Sequence, residues 1–117
     1  MAERARVVIK RVYDRPASSD GMRVLVDRLW PRGLTREAAA ADLWLKDAAP
    51  STALRKWYGH RPERWGTFRR KYRQELAERR ELLRLLKDLR RRSTLTLLFS
   101  AQDTARNHAV VLRDLIA

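Results

Sequence analysis

Between Val24 and Gly33 the chain runs V-L-V-D-R-L-W-P-R-G, and this stretch limits the folding options more sharply than any other. Three apolar residues, two of them β-branched, lead straight into Asp27 and Arg28 and then into Pro31, Arg32 and Gly33. A short unbroken apolar run bounded by Pro and Gly reads as a buried strand, most naturally in a parallel sheet, where both faces are covered. At the end of such a strand the backbone leaves the core. The polar side chains there face a crevice of the kind in which open α/β sheets bind ligands. Asp27, Arg28 and Arg32 are therefore the first candidate site.

The flanking segments supply partners for that strand. Val7 to Tyr13, V-V-I-K-R-V-Y, has the β-branched enrichment of a first strand, and the opening stretch, about Arg23 to Arg28, is the second. Between them lies a loop with Pro16, Ser18, Ser19 and Gly21. A link this short suits a hairpin as easily as a parallel crossover, so spacing leaves the pairing direction open. Thr35 caps a short helix through about Ala41, and Ser51 caps another over Thr52 to Tyr58 that Gly59 stops. Pro62 suits a first helical turn. From there the chain reads as one long helix or two in tandem, ending near Arg90. Trp65, Phe68, Tyr72, Leu76, Leu83 and Leu86 form its core stripe, broken near Glu78 to Arg80. Thr94 to Ser100, T-L-T-L-L-F-S, is a third strand. Asp103 or Thr104 caps a last helix that buries Ala109, Val110, Leu112 and Ile116. Strands separated by helices predict a single α/β domain over residues 1–117, with a small sheet of about three strands and one long basic amphipathic segment.

Length and composition narrow the function classes. At 117 residues the chain can bury an ordinary core without staples. It has no cysteine, which excludes disulfides, zinc–thiolate sites and a cysteine nucleophile. The start M-A-E-R-A-R is polar and predicts no signal peptide. No apolar run approaches the roughly 20 residues that cross a bilayer, so no membrane partner is expected and the cytoplasm is the default location. Lys and Arg number 27 against 14 Asp and Glu, a formal charge of +13, and 22 of the 27 are Arg. Arg forks suit phosphate and carboxylate better than Lys point charges do, and a charge this large attracts polyanions in general.

Two polar groups are chemically suggestive. Asp27, Arg28 and Arg32 converge with Ser100 and Asp103 if the second and third strands are neighbours. The N-terminus of the last helix would then add free N–H groups that favour an anion. The plainer reading is that Asp27 pairs with a local Arg and Asp103 merely caps the helix. The second group, Lys46, Asp47, Ser51 and Arg55, lies beside Trp44 and Trp57. A desolvated Lys there could serve acid–base chemistry, whereas a surface ion bridge and a capping Ser51 account for the same residues. His60 and His108 lie far apart, without close ligand spacing, so no metal site is expected. His108 can face the crevice, but a satisfied histidine is the simpler account. No G-x-S-x-G elbow supports a triad of Ser100, His108 and Asp103. Trp30, Trp44, Trp57 and Trp65 read as core and rim packing rather than base-stacking platforms. The basic helix with R-R-K-Y-R and R-R-R is the strongest pointer to nucleic acid, yet it carries no recognisable binding motif.

Taken together, these residues resemble the YeaO-like bacterial proteins of domain of unknown function 488. The resemblance rests on K-R-V-Y-D at 10–14, D-G-M-R-V-L-V-D-R-L-W-P-R-G at 20–33, W-L-K-D-A-A-P-S at 44–51 and L-R-K-W-Y-G-H at 54–60. It extends through R-W-G-T-F at 64–68, T-L-L-F-S-A-Q-D at 96–103 and N-H-A-V-V-L at 107–112. The resemblance implies a compact domain with a mainly parallel, Rossmann-like core, and it tips the first strand pair toward parallel. It implies no assigned activity and no cofactor. Phe99 stands where the family often has Tyr, and Gln102 where it often has Lys, which removes one cation from the rim.

The expectation is a domain that binds a small anionic, phosphate-bearing or similar ligand at the C-terminal rim of the sheet. Arg28 and Arg32 would contact the anion, Ser100 would donate a hydrogen bond, and Asp27 would orient an Arg. Asp27 or Asp103 would be the general base if the domain is an enzyme. The competing expectation is a non-enzymatic nucleic-acid binder that uses the Arg-rich helix.

Overall fold

Four strands and five helices make up the fold in a computed structural model that describes residues 6–117. Residues 1–5, with the polar start read above, lie outside the described residues. The strands are β1 (Val7–Arg11), β2 (Met22–Leu25), β3 (Leu43–Trp44) and β4 (Leu95–Phe99). The helices are α1 (Arg36–Ala39), α2 (Thr52–Tyr58), α3 (Trp65–Ala77), α4 (Arg80–Arg92) and α5 (His108–Ile116). Single 3-10 turns occupy Ser18–Asp20, Lys46–Ala48 and Pro62–Arg64.

The sheet is wholly parallel, in the order β1-β4-β2-β3. The fourth strand, β3, was not expected from sequence. It has two residues, too few to show a period, and exists because Asp42 and Leu45 donate to the Arg23 and Leu25 carbonyls at 2.7 and 2.9 Å. β1 and β2 run in the same direction, as the family resemblance implies, but β4 lies between them. The link between them ends at Gly21, whose φ of +63° is left-handed. A Cβ there would sit 2.2 Å from the Thr94 carbonyl oxygen, so only glycine lets β2 start beside β4.

Alternation along β4 divides the core between two faces. Leu95, Leu97 and Phe99 point into the larger cluster with Val24 and Val26, under Leu54 and Tyr58 of α2, Phe68, Tyr72 and Leu76 of α3, Leu86 of α4 and Leu112 of α5. Leu98 and Leu25 point to the opposite face, covered by Val12, Ala39, Trp30 and Trp44. The stripe expected on the long helical segment thus faces the sheet, and its break is real. α3 ends at Ala77, α4 begins at Arg80, and the intervening Arg79 turns back to donate to the Asp47 and Ala49 carbonyls, both at 2.6 Å. α2 starts and stops as expected, on the Ser51 cap and at left-handed Gly59.

Two expectations about α5 change. Its cap is Asn107, whose side-chain oxygen accepts from the Val110 N–H at 3.2 Å, and not Asp103 or Thr104. Asp103 spends its carboxylate on a turn of its own, accepting from the Ala105 and Arg106 N–H groups at 2.9 Å each, and this delays the helix. Val111 is buried where Val110 was expected, because α5 is covered by α3 as well as by the sheet.

Candidate functional site

The C-terminal ends of β2 and β4 are neighbours, so Asp27 and Ser100 do meet. Asp27 Oδ2 accepts from the Ser100 hydroxyl at 2.6 Å and from the Ser100 N–H at 3.0 Å. His108, the first residue of α5, completes the group. Its Nε2 lies 3.0 Å from the Val26 carbonyl and 3.1 Å from Asp27 Oδ1. A carbonyl only accepts, so Nε2 carries the hydrogen and directs it at Val26. Asp27 Oδ1, buried, is left with the nearby imidazole edge and no hydrogen bond of its own. The group ties β2, β4 and α5 together.

This order of partners decides what the crevice can do. A serine nucleophile needs its base on the hydroxyl and an orienting carboxylate behind the base. Here the carboxylate sits between the hydroxyl and the imidazole, and no His108–Ser100 hydrogen bond is present. The Ser100 hydroxyl hydrogen is directed at Asp27. Asp27 is committed to Ser100 and His108 rather than orienting an Arg, which corrects the sequence expectation.

The remaining rim residues separate. Arg32 is exposed and, among the described residues, has no ion-pair partner; only its carbonyl is engaged, accepting from the Tyr13 hydroxyl at 3.0 Å. Asp103 is paired locally with the Arg106 guanidinium at 3.0 Å. The Arg106 and Ala105 N–H groups, with that guanidinium, hold the Asp103 carboxyl below the usual carboxylate range. Neither residue reaches Asp27. Arg28 is different. It is half-buried, its Nη2 makes one long contact of 3.3 Å to the Pro50 carbonyl, and its buried Nε has no acceptor.

Arg28 lines an open cleft of about 840 Å³ beyond the ends of β2 and β3. Trp44, Leu45, Leu82 and Leu85 give it apolar walls, while Lys46, Asp47, Glu78 and Arg80 edge it with charge. Trp44 is held in place by its indole N–H, which donates to the Asp27 carbonyl at 2.7 Å, and Lys46 lies 4.3 Å over its ring. The second sequence group lies partly in the cleft and partly behind it. Ser51 accepts from the Leu54 N–H at 3.1 Å and donates to Glu75 Oε2 at 2.6 Å, while its own N–H reaches Glu75 Oε1 at 2.8 Å. Ser51 is thus a cap and a bracket, Lys46 and Asp47 line the cleft, and Arg55 is exposed on α2 away from it. Glu75 and Arg79 were missed from sequence. The only signal for them was the break in the apolar stripe. Among the described residues no group of three or more His, Cys, Asp or Glu is placed to hold a metal, and no helix is long and apolar enough to cross a membrane.

Together these features define a small parallel α/β domain with a buried carboxylate bonded to Ser100 at one strand end and an open amphipathic cleft beside it. The chain belongs to the family described as the inactive DUF488-N3 subclade, whose model matches residues 6–117. It is similar to the uncharacterized protein YeaO of Escherichia coli K12, with 48% identity over 105 residues, covering 90% of this chain and 91% of that protein. It is also similar to the uncharacterized protein Rv3073c of Mycobacterium tuberculosis H37Rv, 42% identical over 116 residues, covering 99% and 98%. No solved structure matches the chain.

Proposed function

We propose that the domain is a binding module for a small anionic ligand with an apolar or planar body, seated in the cleft between the ends of β2 and β3 and the α3–α4 turn. The observation that carries this reading is Arg28, a half-buried guanidinium with a buried Nε that has no acceptor, at the wall of an open cleft. A buried donor without a partner is costly, and an oxyanion is the partner a guanidinium fork fits best. Lys46 and Arg80 offset the acids Asp47, Glu78 and Glu81 at the rim, which leaves Arg28 as the inner cation, and Trp44, Leu45, Leu82 and Leu85 suit the ligand's body. Arg79 takes no part, because its guanidinium is spent on the Asp47 and Ala49 carbonyls. The cleft volume lies inside the range of about 300–1,000 Å³ common for small-molecule sites. Binding without turnover agrees with the word "inactive" in the family's description and with the committed state of Asp27 and Ser100.

The test is thermal stability against a panel of phosphate and carboxylate compounds at fixed ionic strength. A ligand at a hundred times its dissociation constant stabilises the fold by about 2.7 kcal/mol. The expected pattern is a selective rise for the wild type, its loss in Arg28→Ala, and its retention in Arg32→Ala. If no compound shifts the wild type, or if Arg28→Ala responds as the wild type does, the cleft is not the site.

A further inference from the structure

The outer side of α3 carries a cluster of cations with no exposed acid beside them. Arg69, Arg70 and Arg73 are all exposed and, among the described residues, none has an ion-pair partner, while Lys71 turns away to lie 4.9 Å over the Trp57 ring. The one acid of this helix, Glu75, is turned inward onto Ser51. α4 is also strongly basic, with Arg84, Lys87 and Arg91 exposed and, among the described residues, unpaired, but it carries Glu81 and Asp88 among its cations, and Arg92 pairs with Asp88 at 3.2 Å. Arg69, Arg70 and Arg73 also border a shallow groove of about 420 Å³, completed by Gly66, Gln74 and Ala77. Gly66 and Ala77 keep the groove open by having little or no side chain.

We propose that this face of α3 is a docking surface for the phosphate backbone of a nucleic acid. From Gly66 to Ala77 the helix rises by about 16 Å at 1.5 Å per residue. That length spans roughly five base-pair steps of duplex axis, over which each strand carries one phosphate per about 3.4 Å. The face offers forks for phosphate oxygens and no carboxylate to repel them, within a chain of formal charge +13. An acidic protein or a membrane is a poorer match, because both need exposed apolar anchors. Among the described residues the exposed large hydrophobic ones are Tyr13, Leu29, Leu43 and Leu85, none of them on α3. The surface reads backbone rather than bases, so it binds without strong sequence preference.

The experiment is fluorescence anisotropy with a labelled DNA duplex and a labelled single-stranded RNA, across a salt titration. Three proteins are compared: wild type, Arg69→Ala/Arg70→Ala/Arg73→Ala, and Arg84→Ala/Lys87→Ala/Arg91→Ala. The last removes the same charge from α4, and circular dichroism melts show whether each variant is folded. The expected result is a steep dependence of log K on log salt for the wild type. For the duplex it flattens by about 2.7 in the α3 variant, from about 0.9 per contacted phosphate, and stays near wild type in the α4 variant. Equal flattening in both variants would assign the effect to net charge and overturn the proposal. So would the absence of binding to either probe, or equally tight binding of wild type to polyglutamate.

Discussion

Asp20 is the residue on which the N-terminal end of the sheet depends. Its Oδ2 accepts from Arg23 Nη1 at 2.6 Å, Lys10 Nζ at 3.1 Å and the Ala17 N–H at 3.0 Å. Its own carbonyl accepts from Thr96 Oγ1 at 2.6 Å. Arg23 is buried, and its other N–H groups go to the Ala39 and Ala40 carbonyls. Burial alone would push the Asp20 carboxyl up, but the Ala17 N–H and the Lys10 and Arg23 cations outweigh it and leave the group below its ordinary value of 3.8. A carboxyl lowered in the folded state stabilises the fold above its unfolded value, and that contribution disappears as pH falls through the lower folded value. Asp20→Ala strands the Arg23 guanidinium and is expected to cost about 3 kcal/mol, the lower end for a broken buried pair because Lys10 still reaches water. Urea midpoints at neutral pH and below pH 3.8 should show that the gap between wild type and variant narrows in acid. A constant gap would mean that Asp20 acts through its shape and not its charge.

At the scale of the element, α2 and α3 are joined through Ser51 and Glu75. A lone cap is worth about 1 kcal/mol, so Ser51→Ala on that account alone would cost no more. Here the same substitution also takes a donor from a half-buried carboxylate. The two effects should couple. A double-mutant cycle of Ser51→Ala and Glu75→Ala, read by urea denaturation, is expected to give an interaction of about 1 kcal/mol, within the range for residues in one hydrogen-bond network. Additive losses would leave Ser51 as a cap and nothing more. The capping serine and its helix were legible from local spacing. Its partner was not, because Glu75 lies 24 positions away and no local pattern links the two.

For the whole molecule, the excess of 27 cations over 14 anions predicts self-repulsion in the folded state. Screening lengths fall from about 30 Å at 0.01 M salt to about 10 Å at 0.1 M. Thermal stability should therefore rise over that interval in sodium chloride and level off beyond it. A melting temperature unchanged by salt would show that the exposed Arg side chains stand far enough apart not to repel. The same excess is distributed unevenly: without an exposed acid on α3, with two acids among six cations on α4, and partly desolvated at Arg28. These three environments differ in burial and pairing, although in sequence all three read alike.

Local physics was enough for the strand β2 and its polar exit, the capped helices α1 and α2, the break between α3 and α4, and the β4 run. Each depends on neighbours within a few positions: side-chain period, a capping hydroxyl, a glycine stop. The meeting of Asp27 with Ser100 also followed once adjacent strands were assumed. What only the tertiary structure decided is how those groups are used. Ser100 and His108 reach Asp27 from positions 73 and 81 residues away, as 100 − 27 and 108 − 27 give. The two-residue β3 exists only because β2 offers it an edge. Arg28 has a cleft to face only because Arg79 draws the α3–α4 turn onto the carbonyls after β3. Hydrogen-bond satisfaction depends on the distances between groups, and for groups far apart in the chain those distances are set by the packed fold.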